Sequence, residues 1–135
     1  MKVLFVCTGN SARSQMAEAF ARQYGQGRVE ASSAGIDPKG LHPLTIKVMA
    51  EKGIDMSHQQ SKALTDEMLS EADYVITVCG HADQHCPALP EHVRKVHWAL
   101  EDPAAAQGSE AEILATFREI RDQIEARVQD LVRGG

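Results

Sequence analysis

The sequence has few aromatic residues and no excess of positive charge. Three Phe, two Tyr and one Trp occur among its 135 residues, and 14 Lys and Arg are outnumbered by 19 Asp and Glu, for a net charge of −5. Nucleic-acid-binding surfaces combine clustered basic side chains with aromatic ones, so this composition argues against a nucleic-acid partner. No apolar run approaches the roughly 18 residues of a membrane span, and the first residues lack the apolar core of a signal peptide. We therefore expect a cytoplasmic protein that binds neither nucleic acid nor a membrane.

The chain also lacks the length for two domains. Domains usually contain about 100–150 residues, so residues 1–135 are predicted to form one domain, and we expect a monomer. With 43% apolar residues, the chain can bury a core without a disulfide or a structural metal. Only three cysteines are present, Cys7, Cys79 and Cys86. In a reducing compartment each of them is either an inert buried thiol or a functional one.

Short apolar runs alternate with helical patterns along the whole chain. Four runs predict strands, over residues 2–6, 28–33, 74–79 and 93–100. Capping and helix-ending residues predict helices over residues 13–25, 43–53 and 66–70, and from the Ser109–Glu112 capping box to about residue 134. Such alternation predicts an α/β fold, with a four-stranded parallel sheet and helices on both of its faces.

The segment between the first strand and the first helix reads Cys-Thr-Gly-Asn-Ser-Ala-Arg-Ser, from Cys7 to Ser14. In an open α/β sheet, ligands bind beyond the carboxyl ends of the strands, where the unpaired N–H groups of a helix N-terminus attract an anion. Arg13 adds a planar guanidinium that suits two oxygens of a tetrahedral oxyanion. The predicted oxyanion-binding residues are Thr8, Gly9, Asn10, Ser11, Ala12, Arg13 and Ser14.

Cys7 lies at the base of this loop. The amides, the helix dipole and the guanidinium that attract an oxyanion also favour a thiolate over a thiol, and Ser14 can donate a hydrogen bond to the sulfur. These features indicate a nucleophile directed at the central atom of a bound phosphate-like anion. The alternative is a buried cysteine at a strand end, followed by an ordinary polar turn.

The loop resembles the Cys-x5-Arg-Ser signature of the low-molecular-weight protein tyrosine phosphatases and of the arsenate reductases that share their fold. The longer run Cys-Thr-Gly-Asn-Ser-x-Arg-Ser-Gln-Met-Ala-Glu is more similar to the thioredoxin-coupled arsenate reductases. The likeness covers essentially the whole chain, including Ser33-Ala34-Gly35 and the Cys79 region. It implies a phosphatase-like fold with a phosphate-binding loop between the first strand and the first helix. It also implies that Cys7 is the nucleophile and that Arg13 binds the oxyanion.

A carboxyl group is expected across the loop, because the leaving oxygen of an oxyanion needs a proton. Glu101, Asp102 and Pro103 follow the fourth predicted strand, at the same edge of a parallel sheet as Cys7. The residues alone leave the choice between Glu101 and Asp102 open, and they also allow a carboxylate that merely flanks a turn. The fold family carries its general acid in an Asp-Pro pair at this place, so the resemblance implies that Asp102 is the acid.

Phosphate transfer would need only the loop and Asp102, which leaves Cys79 and Cys86 without a role. Arsenate reduction uses all three thiols. Cys7 would form a thiol–arsenate adduct, Cys79 would attack the Cys7 sulfur and release arsenite, and Cys86 would then form a disulfide with Cys79. The Cys-x6-Cys-Pro pattern after the third strand resembles the thioredoxin-coupled family, which implies thioredoxin as the reductant. A glutaredoxin–glutathione system, which serves some relatives, is the alternative reductant. We expect residues 79–86 to form a mobile polar loop.

Three other interpretations remain open. Cys79 and Cys86 can be inert thiols, and His81 and His85 between them supply metal-ligand types, although their spacing is poor for zinc and we predict no metal site. The alternative enzyme is a low-molecular-weight protein tyrosine phosphatase. Such phosphatases usually place an aromatic residue soon after the Asp-Pro pair, whereas residues 104–106 here are alanines. A non-enzymatic oxyanion-binding or redox-sensing module is the third possibility.

Some relatives in the resembled family bind potassium beside the loop. Asn10, Glu18 and Ser33 match the ligand positions of that site, but Lys62 occupies the place of the acidic ligand. We expect the Lys62 ammonium to take over the electrostatic role of the ion, so that no potassium is required. The alternative is that Lys62 is only a solvated charge. The sequence therefore predicts no cofactor apart from external thioredoxin.

Overall fold

The computed structural model describes residues 1–134, which are built around a four-stranded parallel sheet. The strands are β1 (Lys2–Cys7), β2 (Glu30–Gly35), β3 (Tyr74–Thr77) and β4 (Arg94–His97). Their spatial order is β2-β1-β3-β4, and each neighbouring pair is parallel. The fold class predicted from the alternation of strands and helices is confirmed.

Helices follow each of the first three strands and end the described chain. They are α1 (Arg13–Gly25), α2 (Pro43–Ala50), α3 (Asp66–Glu71), α4 (Gly80–His85) and α5 (Glu110–Gly134), with a short 3₁₀ turn at Pro103–Ala105 before α5. Helix α5 packs against α1 and α2, whereas α3 and α4 contact β1. Among residues 1–134, no helix is both long and apolar enough to cross a bilayer.

Apolar side chains from the sheet and the two long helices form a continuous buried core. Every residue of β1 after Lys2 is buried, as expected for a central strand that is covered on both faces. One face of α5 is apolar and turns inward, because Phe117, Ile120, Ile124 and Val128 are all buried. Each such side chain stabilises the fold by roughly 1.5–3 kcal/mol relative to an exposed one.

Side-chain caps mark the beginnings of α2, α3 and α5, whereas α1 has none. Thr65 caps α3 and His42 caps α2, each by accepting a hydrogen bond from a backbone N–H of the first turn. The predicted Ser109–Glu112 capping box forms before α5, with the Glu112 N–H donating to Ser109 Oγ at 3.2 Å. Helix α1 ends at Gly25, as its glycine predicts. The local signals therefore set most helix boundaries correctly.

The boundaries of all four strands differ from the prediction, and β1 ends at Cys7, one residue later than predicted. Strand β2 begins and ends two residues later than predicted, because its register with β1 pairs Gly35 with Cys7. Strand β3 ends at Thr77 rather than at residue 79. Strand β4 covers only four residues of the predicted range 93–100.

The prediction of a loop over residues 79–86 is wrong, since the residues between the two cysteines form α4. The Cys79 sulfur acts as the N-cap of this helix and accepts a hydrogen bond from the Ala82 N–H at 3.3 Å. An ion pair of 3.0 Å between Asp83 and Lys95 joins the helix to β4. The sequence hides this helix because cysteine and glycine are weak helix-starting signals and the contact with β4 is tertiary.

Glu51, directly after α2, connects that helix to α5. Arg118 donates to its carboxylate through Nε at 3.0 Å and through Nη2 at 2.7 Å, and Arg121 adds a bond from Nη1 at 2.9 Å. Hydrogen bonds from Arg118 and then from Arg121 stabilise the ionised form, and they lower the pKa of Glu51 from 4.5 to about 2.

We predict that Glu51→Gln lowers the melting temperature at neutral pH, because both arginines lose their charged partner. The folded-state pKa lies below the unfolded value, so the stabilisation is complete above about pH 4.5 and is lost as the pH falls toward 2. Thermal unfolding followed by circular dichroism should show a gap between wild type and variant that narrows in this range. Glu119→Gln removes an exposed carboxylate that forms no ion pair within the described chain, and it should change nothing. A gap independent of pH would contradict the prediction.

Candidate active site

A cleft of about 430 Å³ opens at the edge of the sheet where β1 and β3 end. It is lined by Cys7, Thr8, Gly9, Ser11, Ala12, Arg13, Lys39, Cys79, His81, Asp102 and Ala104. The fold thus brings together four of the five residues predicted to be catalytic, namely Cys7, Arg13, Cys79 and Asp102. The fifth, Cys86, follows the far end of α4.

Cys7 is the last residue of β1, and only 3% of its surface is exposed. The backbone N–H of Asn10 donates to its Sγ at 3.1 Å, and Ser14 Oγ lies 2.8 Å from the same atom. Ser14 Oγ also accepts a hydrogen bond from Asn10 Nδ2 at 2.7 Å, so its own proton is available for the sulfur. Two donors therefore point at the atom predicted to be the nucleophile.

Asn10 holds the oxyanion-binding loop in shape from inside the protein. It is fully buried, and its φ of +46° lies in the left-handed region, which asparagine tolerates better than most residues. Its Oδ1 accepts hydrogen bonds from Gln15 Nε2 at 3.0 Å and from the Lys62 N–H at 2.9 Å. The loop is therefore braced by α1 and by the segment before α3 without help from a ligand.

Arg13 begins α1 and crosses the cleft toward the ends of the neighbouring strands. Its Nη1 donates to the carbonyl oxygens of Val78 at 3.2 Å and Leu100 at 2.9 Å, residues that follow β3 and β4. These bonds fix the plane of the guanidinium, and Nη2 lies 3.8 Å from Asp102 Oδ2. The side chain is only 11% exposed, so the group that would bind an oxyanion is held in place beforehand.

Asp102 approaches Arg13 from the loop after β4. Its Oδ1 accepts a hydrogen bond from the Ala104 N–H at 3.0 Å and caps the 3₁₀ turn that begins at Pro103. Oδ2 is the oxygen directed toward Arg13, and the side chain is 46% exposed. A carboxyl group in this position can give a proton to a leaving oxygen in the cleft and recover it from solvent.

Cys79 lies on the β3 side of the cleft and is 6% exposed. Thr8 Oγ1 is 3.3 Å from its Sγ, so the second thiol contacts the residue next to Cys7. The Ala82 N–H reaches the same sulfur from the first turn of α4. The cleft therefore holds two thiols, one at the end of each central strand.

Cys86 directly follows α4 and is partly buried. Burial is the main cause of a raised pKa of the Cys86 thiol, the Asp83 carboxylate adds to the rise, and the Lys95 ammonium opposes it. Cys86 is therefore a protonated thiol at neutral pH in this conformation.

Lys39 and His81 also line the cleft, and neither is predicted from the sequence to belong to it. The backbone beyond β2 continues alongside the loop, and the Lys39 N–H donates to the Gly9 carbonyl oxygen at 2.9 Å. This contact brings the Lys39 ammonium, which pairs with Asp37 at 3.1 Å, to the rim of the cleft. The sequence signal for Lys39 was that β2 continues to Gly35, because the residues after it then run beside the loop. The predicted strand ended at residue 33, so Lys39 was not assigned to the site. His81 was not predicted to line the cleft because helix α4 was not predicted.

The residues that match a potassium site are already engaged with donors from the protein. Ser33 Oγ donates to Glu18 Oε1 at 2.8 Å, and Arg22 pairs with Glu18 Oε2 at 3.0 Å. Lys62 gives its backbone N–H to Asn10, and within residues 1–134 no carboxylate lies within 4.0 Å of its ammonium. Arg22 therefore supplies the counter-charge that was expected from Lys62. This arrangement does not fit a bound potassium ion.

The histidines near the cysteines show no arrangement for a metal. In the part of the chain that the structure describes, no group of three or more His, Cys, Asp or Glu is placed to hold a metal ion. His81 and His85 instead stack on each other, with ring centroids 4.1 Å apart. The zinc interpretation of this segment therefore has no geometric support.

The profile of the low molecular weight phosphotyrosine protein phosphatase family matches residues 2–134. This chain belongs to that family. The resemblance predicted from the Cys-x5-Arg-Ser loop is confirmed, and the match spans the sheet, the loop and all five helices.

Relatives within this family carry both reductase and phosphatase names. An arsenate reductase of Bacillus subtilis strain 168 is 46% identical over 133 residues, which cover 98% of this chain and 96% of the relative. The structure of a thioredoxin-dependent arsenate reductase from Corynebacterium glutamicum matches with a TM-score of 0.80 and 32% identity, over 98% of this chain and 60% of that one. An arginine phosphatase from Geobacillus stearothermophilus matches with a TM-score of 0.81 and 26% identity, over 98% of this chain and 91% of that one. The fold serves both chemistries, so the site has to distinguish them.

Gly35 is a position where β2 packs directly against the loop. A Cβ atom there would lie 2.7 Å from the Thr8 carbonyl oxygen and 2.9 Å from Asn10 Cβ. We predict that Gly35→Ala displaces the loop, destabilises the fold by about 1–3 kcal/mol and slows hydrolysis of p-nitrophenyl phosphate by about tenfold or more.

The matched control for this substitution is Gly80→Ala, because a Cβ atom at Gly80 meets no other atom within 4 Å. Urea unfolding and the hydrolysis rate should both stay close to wild type in the control. Equal hydrolysis rates in the two variants would contradict the inferred contact between Gly35 and the loop.

Proposed function

We propose that this protein reduces arsenate to arsenite through a relay of Cys7, Cys79 and Cys86, with thioredoxin as the external reductant. The observation that carries the proposal is the position of Cys79, which lines the same cleft as Cys7 and lies 3.3 Å from Thr8 of the loop. A phosphatase needs one thiol in this cleft, whereas a reductase needs a second thiol that can reach the first.

The first step is attack of the Cys7 thiolate on the arsenic of bound arsenate. The loop amides and Arg13 bind the oxygens that remain, and Asp102 protonates the one that leaves. A sulfur–arsenic bond forms, an arsenic–oxygen bond breaks, and the displaced oxygen departs as water. Arsenic remains pentavalent at this stage.

The second step transfers two electrons to arsenic. The Cys79 thiolate attacks Cys7 Sγ, a disulfide forms between the two residues, and the sulfur–arsenic bond breaks with its electron pair left on arsenic, which departs as arsenite. The Thr8 hydroxyl and the Ala82 N–H, each 3.3 Å from the Cys79 sulfur, orient it for this attack.

Cys86 completes the relay by attacking the Cys79 sulfur. Cys7 leaves as a thiolate, and a Cys79–Cys86 disulfide remains for a thioredoxin dithiol to reduce by exchange. Helix α4 has to unwind for this step, because a helix holds Cα atoms seven residues apart at roughly 10 Å, whereas a disulfide needs about 7 Å or less. The conversion of α4 from helix to loop is therefore part of the proposed cycle.

Two comparisons support this proposal. The Bacillus relative that is named an arsenate reductase matches nearly the full length of this chain, and the Corynebacterium structure is named as thioredoxin-dependent. They support the substrate and the reductant, and the order of thiol exchange is inferred from the geometry of the cleft.

A phosphatase is the second candidate, because Cys7, Arg13 and Asp102 form a complete set without the other thiols. The cleft does not favour an aryl ester, since none of the lining residues found within residues 1–134 is Phe, Tyr or Trp. We therefore expect weak hydrolysis of aryl phosphates as a side activity of the shared loop.

We predict that Cys79→Ser and Cys86→Ser each abolish arsenate-dependent consumption of NADPH in an assay coupled through thioredoxin and thioredoxin reductase. The relay stops at the missing thiol in each variant. Hydrolysis of p-nitrophenyl phosphate should stay within about twofold of wild type, because it needs only the loop and Asp102.

Cys7→Ser is the control for these variants and should lose both activities. Peptide mapping after a single turnover without thioredoxin should find a disulfide between residues 79 and 86 in the wild type. Normal arsenate reduction by both of the other serine variants would exclude the relay.

We also propose that turnover requires no potassium, because Arg22 and Ser33 already occupy the Glu18 carboxylate. Replacing choline by potassium at constant ionic strength should change the initial rate of NADPH consumption by less than about twofold. A severalfold increase would show that an ion binds beside the loop in place of these contacts.

A further inference from the structure

A polar cluster outside the cleft fastens α4 to the strands beside it. Asp83 Oδ1 accepts hydrogen bonds from Lys95 Nζ at 3.0 Å and from Thr77 Oγ1 at 3.1 Å. The Lys95 ammonium also donates to the Asp83 carbonyl oxygen at 3.0 Å, and His97 Nδ1 lies 2.8 Å from Thr77 Oγ1. We call these four residues, from α4, β3 and β4, the α4 anchor.

The proton positions in the α4 anchor follow from the chemistry of its members. Thr77 has one hydroxyl proton and donates it to Asp83, so His97 Nδ1 must donate to Thr77 Oγ1 rather than accept from it. The hydrogen bond from Lys95 is the main cause of a lowered pKa of Asp83, to which Thr77 and His97 contribute. The anchor is therefore an ionised carboxylate held by a lysine and by a buried hydroxyl.

The same two charges act on Cys86. The Asp83 carboxylate from α4 and the Lys95 ammonium from β4 shift the pKa of Cys86 in opposite directions, up and down respectively. While the helix is folded, the ammonium is bound to Asp83 and their effects on Cys86 oppose each other. Asp83 lies between the two cysteines and must move when α4 unwinds, whereas Lys95 belongs to the sheet.

We propose that Asp83 and Lys95 are positioning residues for the resolving thiol: their contact keeps α4 folded and holds Cys86 at the far end of this helix in the reduced protein, and its rupture frees both the Cys86 segment and the Lys95 ammonium. This inference rests on the proposed function, in which Cys86 attacks Cys79 only after α4 unwinds. Cys86 then becomes a nucleophile at the stage of the cycle at which its target disulfide has formed.

The first test compares Asp83→Asn and Lys95→Gln in the reduced full-length chain without arsenate. Both substitutions remove the ion pair, and the amide introduced at position 83 can still accept from Thr77. Hydrogen–deuterium exchange at the amides of residues 80–85 should be about two- to fivefold faster in both variants, as expected for the loss of one partly exposed ion pair.

The second test uses the pH profile of Cys86 alkylation by iodoacetamide, measured by peptide mass spectrometry. Asp83→Asn removes the carboxylate and keeps the ammonium, so its profile should move to lower pH. Lys95→Gln removes the ammonium and keeps the carboxylate, so its profile should move to higher pH. A merely structural contact would move both profiles in the same direction.

Glu91→Gln is the matched control, because it removes an exposed carboxylate between α4 and β4 that forms no ion pair within residues 1–134. Both of its readouts should equal those of the wild type. Unchanged exchange in Asp83→Asn, or pH profiles that move together, would overturn the proposal. Neither readout uses arsenate or thioredoxin, so a failure of the α4 anchor is distinguishable from a failure of the reductase assay.

Discussion

The parallel pairing of β1 with β3 is the constraint on which the cleft depends. Val6 pairs with Thr77, and the Val78 N–H continues the ladder to the Val6 carbonyl oxygen at 2.9 Å. Cys7 is therefore level with Val78 at this edge of the sheet, and Cys79 lies one residue further on, where its Sγ is 3.3 Å from Thr8 Oγ1. A slip of one residue would turn every β3 side chain to the opposite face of the sheet. The register of β3 against β1 therefore sets the relative position of the two thiols.

The proposed cycle needs one part of the site to stay fixed and another part to change shape. Asn10 braces the loop, and Arg13 is held by two carbonyl oxygens, so the oxyanion-binding groups need little rearrangement. Helix α4 has only six residues, and a helix this short is not stable on its own in water. Its contacts with β3 and β4 provide the stability that its short length does not. In the proposed cycle, the loop and Arg13 bind the oxyanion precisely, whereas α4 undergoes the large movement.

The sequence predicts the fixed part well and the changeable part poorly. Residues 7–14 form a strand-to-helix turn whose signals are local, and the Asp-Pro pair makes Asp102 recognisable in the same way. Helix α4 depends instead on a lysine twelve positions beyond Asp83, and its first residues, Cys79 and Gly80, give no usual capping signal. Contacts made across such distances leave no pattern in the neighbouring residues. Lys39 and His81, which line the cleft, could therefore be identified only from the three-dimensional structure.

The Cys79 sulfur has a structural role in addition to the chemical one proposed for it. It accepts the Ala82 N–H and so pairs one of the donors that would otherwise be left open at the start of α4. In a disulfide the direction of that sulfur is set by the new bond, and the helix loses its cap. In the proposed cycle, the backbone conformation of residues 79–86 therefore differs between the oxidised and the reduced protein. A partner that recognises the unwound segment would bind oxidised molecules, which need reduction, and would not bind reduced ones.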